Sequence, residues 1–168
     1  MYYFISKKDA AISAAETYAA EWNVPWERVT KIKKHRALLI FIEGFTISFE
    51  SGGGVGEVEV SCPDRITRFE FMPSDSTHFM LPLWAAYPTY DSVTSGWRQG
   101  YGEVYKYRWH DWYDKLSDEK RTEYRERFPP PKDEELCWAD FYELIADVPA
   151  DYNSIPDFLM GRVPKNDA

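Results

Sequence analysis

The sequence predicts an α+β protein: an N-terminal helix packed on an antiparallel meander of about four strands, followed by a helical C-terminal half. Three observations predict it. Small and apolar residues recur at helical spacing between Ser6 and Trp22, apolar residues alternate with polar ones from Phe45 to Met72, and helical spacing returns after Trp97. On this reading residues 1–73 are a helix plus antiparallel sheet. Residues 74–161 are an aromatic-rich helical half packed on it within one structural domain, and residues 162–168 are a loose tail.

Ser6 suits an N-cap, because its hydroxyl can accept from an amide of the first turn, and Asp9 follows three residues on. Ile12, Ala15, Tyr18, Ala19 and Trp22 share one face, where small side chains let a helix lie close to a sheet. Asn23-Val24-Pro25 ends the helix, since a residue before proline avoids the helical region. Lys31 to Lys34 reads as an edge strand and Leu38 to Ile42 as a buried one. Phe45, Ile47 and Phe49 alternate with Thr46, Ser48 and Glu50, and Glu57-Val58-Glu59-Val60 alternates likewise after the turn Ser51-Gly52-Gly53-Gly54. Cys62-Pro63-Asp64 turns the chain into a last strand, Ile66 to Met72. Turns this short join antiparallel neighbours.

Pro82, Pro88 and small polar residues make Asp75 to Thr94 irregular. A helix is expected from about Trp97 to Leu116, with Trp97, Tyr101, Val104, Arg108, Trp112 and Leu116 on its apolar face. Gln99, Glu103, Lys106, His110 and Asp114 fall on the other. Arg108, set in the apolar face, should lay its stem on an aromatic ring or pair with a buried acid. Ser117 caps a second helix that places Tyr124 and Phe128 at i,i+4, and Pro129-Pro130-Pro131 stops it. Asp133 caps a third that buries Trp138, Phe141 and Ile145, and Asp157 to Met160 can make one further turn.

A chain of 168 residues can bury roughly 70% of the surface its unfolded form exposes, so it needs no disulfide or metal to fold. No apolar run approaches a membrane span, and the N-terminus lacks a secretory pattern; the expected compartment is the cytoplasm, with no membrane partner. There Cys62 and Cys137 are expected as buried thiols, with a single disulfide as the alternative. Three scattered histidines and no Cys-x-x-Cys pair give no structural zinc site, and no cofactor is implied. The net charge of −8 argues against nucleic acid. It serves solubility or attracts a basic partner. Seven Trp, twelve Tyr and ten Phe can fill a core or anchor an interface.

The motifs carry little chemistry. Gly52-Gly53-Gly54-Val55-Gly56 is followed by Glu57-Val58-Glu59 instead of the lysine and helix a phosphate loop needs, so it reads as a hairpin turn. Gly96, Gly100 and Gly102 do not match the dinucleotide fingerprint; they suggest a frayed helix start or, preferably, close backbone packing against the sheet. His110 and Asp114 stand at i,i+4 and could pair, the carboxylate raising the histidine's basicity; a surface ion pair is the simpler reading. Cys137 has acidic neighbours, which do not activate a thiol, and no serine stands in a nucleophile elbow.

Ser6 to Met72, an alanine-rich helix followed by a glycine-broken antiparallel meander, resembles the small cystatin-like or NTF2-like domains common among bacterial immunity proteins that neutralise toxins. The likeness covers roughly 40% of the chain and is one of architecture, so no site residue is carried over. Trp97-Arg98-Gln99-Gly100-Tyr101-Gly102-Glu103 through Trp112-Tyr113, with Leu116-Ser117-Asp118-Glu119 and Tyr124-Arg125 after it, resembles a segment of uncharacterised bacterial proteins. The expectation is a non-enzymatic protein-binding module, an acidic immunity-type inhibitor of a basic bacterial toxin. Trp97, Tyr101, Trp109 and Trp112 would be its anchors, and Glu103, His110, Asp111 and Asp114 its polar rim. The alternatives are a small intracellular enzyme or ligand-binding protein with a pocket near His110 and Asp114, and a subunit of a larger assembly.

Overall fold

A computed structural model describes residues 6–36, 43–61, 63–132 and 138–143, and the chain divides into two compact units, Met1–Thr89 and Tyr90–Ala168. The first unit holds helix α1 (Lys7–Glu21), strands β1 (Arg28–Arg36), β2 (Glu43–Ser51), β3 (Gly54–Ser61) and β4 (Arg65–Pro73), and the short helix α2 (Leu83–Ala86). In the second, a 3₁₀ turn over Ser95–Arg98 leads into α3 (Gly100–Asp114) and α4 (Asp118–Arg127). The class is α+β, as expected. No described helix is long and apolar enough to cross a membrane. The expected strand Leu38 to Ile42, the helix capped by Asp133, Ile145, the turn at 157–160, both cysteines and the tail lie outside the described residues.

α1 begins where the Ser6 hydroxyl accepts the Asp9 amide at 3.2 Å and donates to the Asp9 carboxylate at 2.6 Å. Its buried stripe is Ala11, Ala15 and Ala19, so the helix backbone lies close on the sheet. The end is more specific than a proline effect. Asn23 takes a left-handed backbone (φ 52°), and the Asn23 and Val24 amides donate to the Ala20 and Ala19 carbonyls at 3.1 and 2.8 Å. This is the Schellman closure, with asparagine where glycine is commonest.

The strands pair antiparallel in the order β1-β2-β3-β4. One face carries Phe45, Ile47 and Phe49 of β2, Val58 and Val60 of β3, and Ile66, Phe69 and Phe71 of β4, all buried. α1 covers this face, with the Tyr18 ring 5.4 Å from Phe69. Both edge strands are bulged. Thr30 is the extra residue between Val29 and Lys31, and Thr67 between Ile66 and Arg68. Each threonine hydroxyl donates across to the neighbouring strand, to the Ser48 and Glu59 carbonyls, both at 3.2 Å. The bulges explain why apolar residues three apart, Val29 and Ile32 or Ile66 and Phe69, fall on one face. α2 lies beside β4, where the Tyr18 hydroxyl donates to the Ala85 carbonyl at 2.7 Å.

The second unit has an aromatic core. Trp109 stacks on Tyr113 at 4.7 Å, meets Phe141 edge-on at 5.1 Å, and donates its indole N–H to the Tyr124 hydroxyl at 2.8 Å. Ser117 caps α4 by accepting the Lys120 amide at 3.3 Å, and Tyr124 packs against Phe128 at 4.8 Å, as the i,i+4 spacing predicts. Trp138 and Phe141 are buried as expected.

Candidate functional site

The buried stripe of α3 is Gly102, Tyr105, Trp109, His110 and Tyr113. This corrects the expected orientation, which took Trp97, Tyr101, Val104, Arg108, Trp112 and Leu116 as the apolar face; of these only Trp97, which precedes α3, is buried. The alternative stripe is equally periodic and carries more aromatic rings, and the larger aromatic payload wins the core. Arg108 is only half-buried and makes no ion pair among the described residues, so the predicted cost of a buried charge does not arise.

At about 100° per residue, the accessible arc of α3 has two sides. Tyr101, Val104, Arg108 and Trp112 line one, spanning about 16 Å along the axis; Glu103, Tyr107 and Asp114 line the other, with Asp111 between. Tyr101 is 69% exposed, whereas Trp112 is half-buried and meets Tyr124 edge-on at 5.3 Å. Asp111 is tied to Lys115 at 2.6 Å, and Arg108 and Lys106 stand on the same helix, so this surface is not itself strongly acidic. The chain's negative excess lies further on: residues 133–168 hold nine of the 28 acidic side chains against two of the 20 basic ones.

The expected anchors are therefore separated. Trp97 is buried, donating its indole N–H to the Asp91 carbonyl at 2.7 Å, with Tyr90 and Trp138 edge-on at 5.2 and 5.9 Å. Trp109 is fully buried. Tyr101, Glu103, Asp111, Trp112 and Asp114 remain in contact with solvent.

His110 is 5% exposed, and its Nδ1 has no hydrogen-bond partner. Burial pushes its pKa down to about 4; the Asp114 charge opposes this, and Lys106 adds to it. The expected gain in basicity from Asp114 is overridden by desolvation, so the imidazole is neutral at pH 7.

Gly96 and Gly102 at the α3 entry pack tightly, against neighbours within their own unit, while Gly100 is open. A side chain on Gly102 would strike the Gly96 carbonyl, and one on Gly96 the Tyr90 ring. Gly100 starts α3 with φ +69°, which links the 3₁₀ turn to the helix. Of the two expected readings, a frayed helix start and close backbone packing against the sheet, close packing is seen at Gly96 and Gly102, with Tyr90 and the Gly96 backbone as the neighbours.

The first unit carries a polar site that sequence reasoning missed. On the sheet face opposite α1, Arg68 is 6% exposed and pairs with Glu57 at 2.6 Å, Glu59 at 3.4 Å and Glu70 at 3.5 Å. Burial works against the guanidinium charge, but Glu70 and Glu57 outweigh it and hold the pKa above the usual arginine value. The buried Tyr87 hydroxyl donates to Glu70. His35 crosses β2 over Gly44 to reach Glu59 at 3.4 Å, a path that any side chain at 44 would block. The signal was present as Glu57-x-Glu59 facing Arg68-x-Glu70, obscured by the Thr67 bulge. At the β2–β3 hairpin, Asp75 accepts from the Thr77 amide and hydroxyl and contacts His78, which pushes its pKa down to about 2; this stabilises a turn. Among the described residues no group of His, Cys, Asp and Glu is placed to hold a metal ion. No protein-family model, curated protein or solved structure matches this chain.

Proposed function

We propose that the chain is a protein-binding module without catalytic activity, an acidic immunity-type inhibitor of a basic bacterial toxin, gripping it through the accessible arc of α3. The observation that supports this reading is Tyr101, a large aromatic 69% exposed on a helix whose other rings are mostly buried. An amphipathic ring held on a rigid helix is the kind of anchor that dominates interface energetics. Trp112 adds a half-exposed edge on the same side of the helix, and Glu103 and Asp114 supply rim charges on the other side of the arc. Steering of a basic partner falls to the charge of the whole chain and not to this arc.

The test is affinity capture from native lysate, identification of the partner by mass spectrometry, and measured binding of purified proteins. Tyr101→Ala should weaken binding by about tenfold or more through a faster off-rate. Added salt should slow association with a basic partner. An acidic partner, or binding indifferent to Tyr101→Ala, removes the basis of the reading.

A further inference from the structure

We propose that the outer edge of β1 binds an acidic extended peptide as a fifth strand of the sheet. β1 and β4 are the two edge strands, and β4 has α2 beside it. Among the described residues β1 pairs only with β2. Alternate residues of this nine-residue strand therefore turn a backbone N–H and C=O outward, the template on which an added strand forms.

The charge of the strand selects the occupant. Arg28, Lys31, Lys33, Lys34 and Arg36 make five of its nine residues cationic, in a chain of net charge −8. Arg28 is held by Glu50, Lys34 by Glu43 and His35 by Glu59. Lys31 and Lys33 are exposed and form no ion pair among the described residues. They lie on the same polar face, opposite Ser48 and Thr46, while Ile32 between them faces the other way and is half-buried. The complementary ligand has carboxylates at alternate positions, facing Lys31 and Lys33, and an apolar residue between them facing Ile32. A second copy of β1 laid antiparallel would set lysine against lysine, which is destabilising across a sheet. Lysines that guard an edge against self-pairing thus favour an acidic strand over the chain itself. This surface belongs to the first unit and stands independently of the α3 reading.

The experiment titrates isotope-labelled protein with a blocked hexapeptide alternating glutamate and valine, following backbone amide shifts and hydrogen exchange by NMR. The expected result is saturable shifts centred on β1 and slower exchange of its outward amides. Lys31→Glu with Lys33→Glu should weaken binding about tenfold or more and confer binding of the matching lysine–valine peptide. Both side chains are exposed, so the double variant should keep the native amide spectrum outside β1. Shifts centred elsewhere, no shifts at all, or undiminished binding by the double variant overturn the proposal. Equally tight binding of a single-stranded oligonucleotide or an anionic vesicle also overturns it, because the edge would then be a general anion surface.

Discussion

His110 and Asn23 show how single residues are held in unfavourable states by what surrounds them. His110 is neutral in the fold because its buried ring cannot afford a proton; in the unfolded chain the ordinary value of 6.5 applies. Above pH 6.5 both states are neutral, so the group does not affect stability. As pH falls from 6.5 towards about 4, the unfolded state binds the proton first, and stability drops by up to about 3 kcal/mol. Comparing thermal midpoints of the native protein and His110→Gln between pH 7 and pH 4 tests this; the variant should lose this part of the acid sensitivity. Asn23 occupies the left-handed region at the end of α1. Asn23→Ala should lower stability by about 1 kcal/mol and Asn23→Gly should not, as read from urea midpoints at unchanged slope.

Among the elements, α1 was the most legible, since its cap and its end are local signals; of the face read as Ile12, Ala15, Tyr18, Ala19 and Trp22, Ala15 and Ala19 are fully buried, and Ala11 joins them. Its closeness to the sheet predicts that Ala15→Leu, at a fully buried position, costs about 1–3 kcal/mol, whereas Ala20→Leu on the exposed side is close to neutral in denaturant unfolding. β2 and β3 were legible from strict alternation. β1 was caught only in part, as Lys31 to Lys34, and Arg68 was missed, because a bulge in each edge strand breaks the period of two. α3 was legible as a helix but not in orientation. With aromatics on most of its surface, periodicity alone could not decide between the stripe through Tyr101, Arg108 and Trp112 and the one through Tyr105, Trp109 and Tyr113. The partners offered by Tyr124 and Phe141 decide it, and those are tertiary facts.

Over the whole molecule, charge is distributed unevenly: cations gather on β1, balanced pairs cover α3 and α4, and the acidic excess falls in the last segment of the sequence. Composition gave the sign of that balance and the order of residues its place along the chain, while the strand register shows which of the β1 cations share a face. The bulge at Thr30 bears on the chain's behaviour in a crowd. Deleting Thr30 would leave Val29 facing Phe49 and Lys31 facing Ser48, so every cross-strand partner would survive. What would vanish is the local kink and extra twist that keep the rim of the sheet from being straight. A shortened chain of this kind should fold yet drift towards fibrils, above all in strong salt that mutes lysine repulsion, and light scattering over days would reveal the difference.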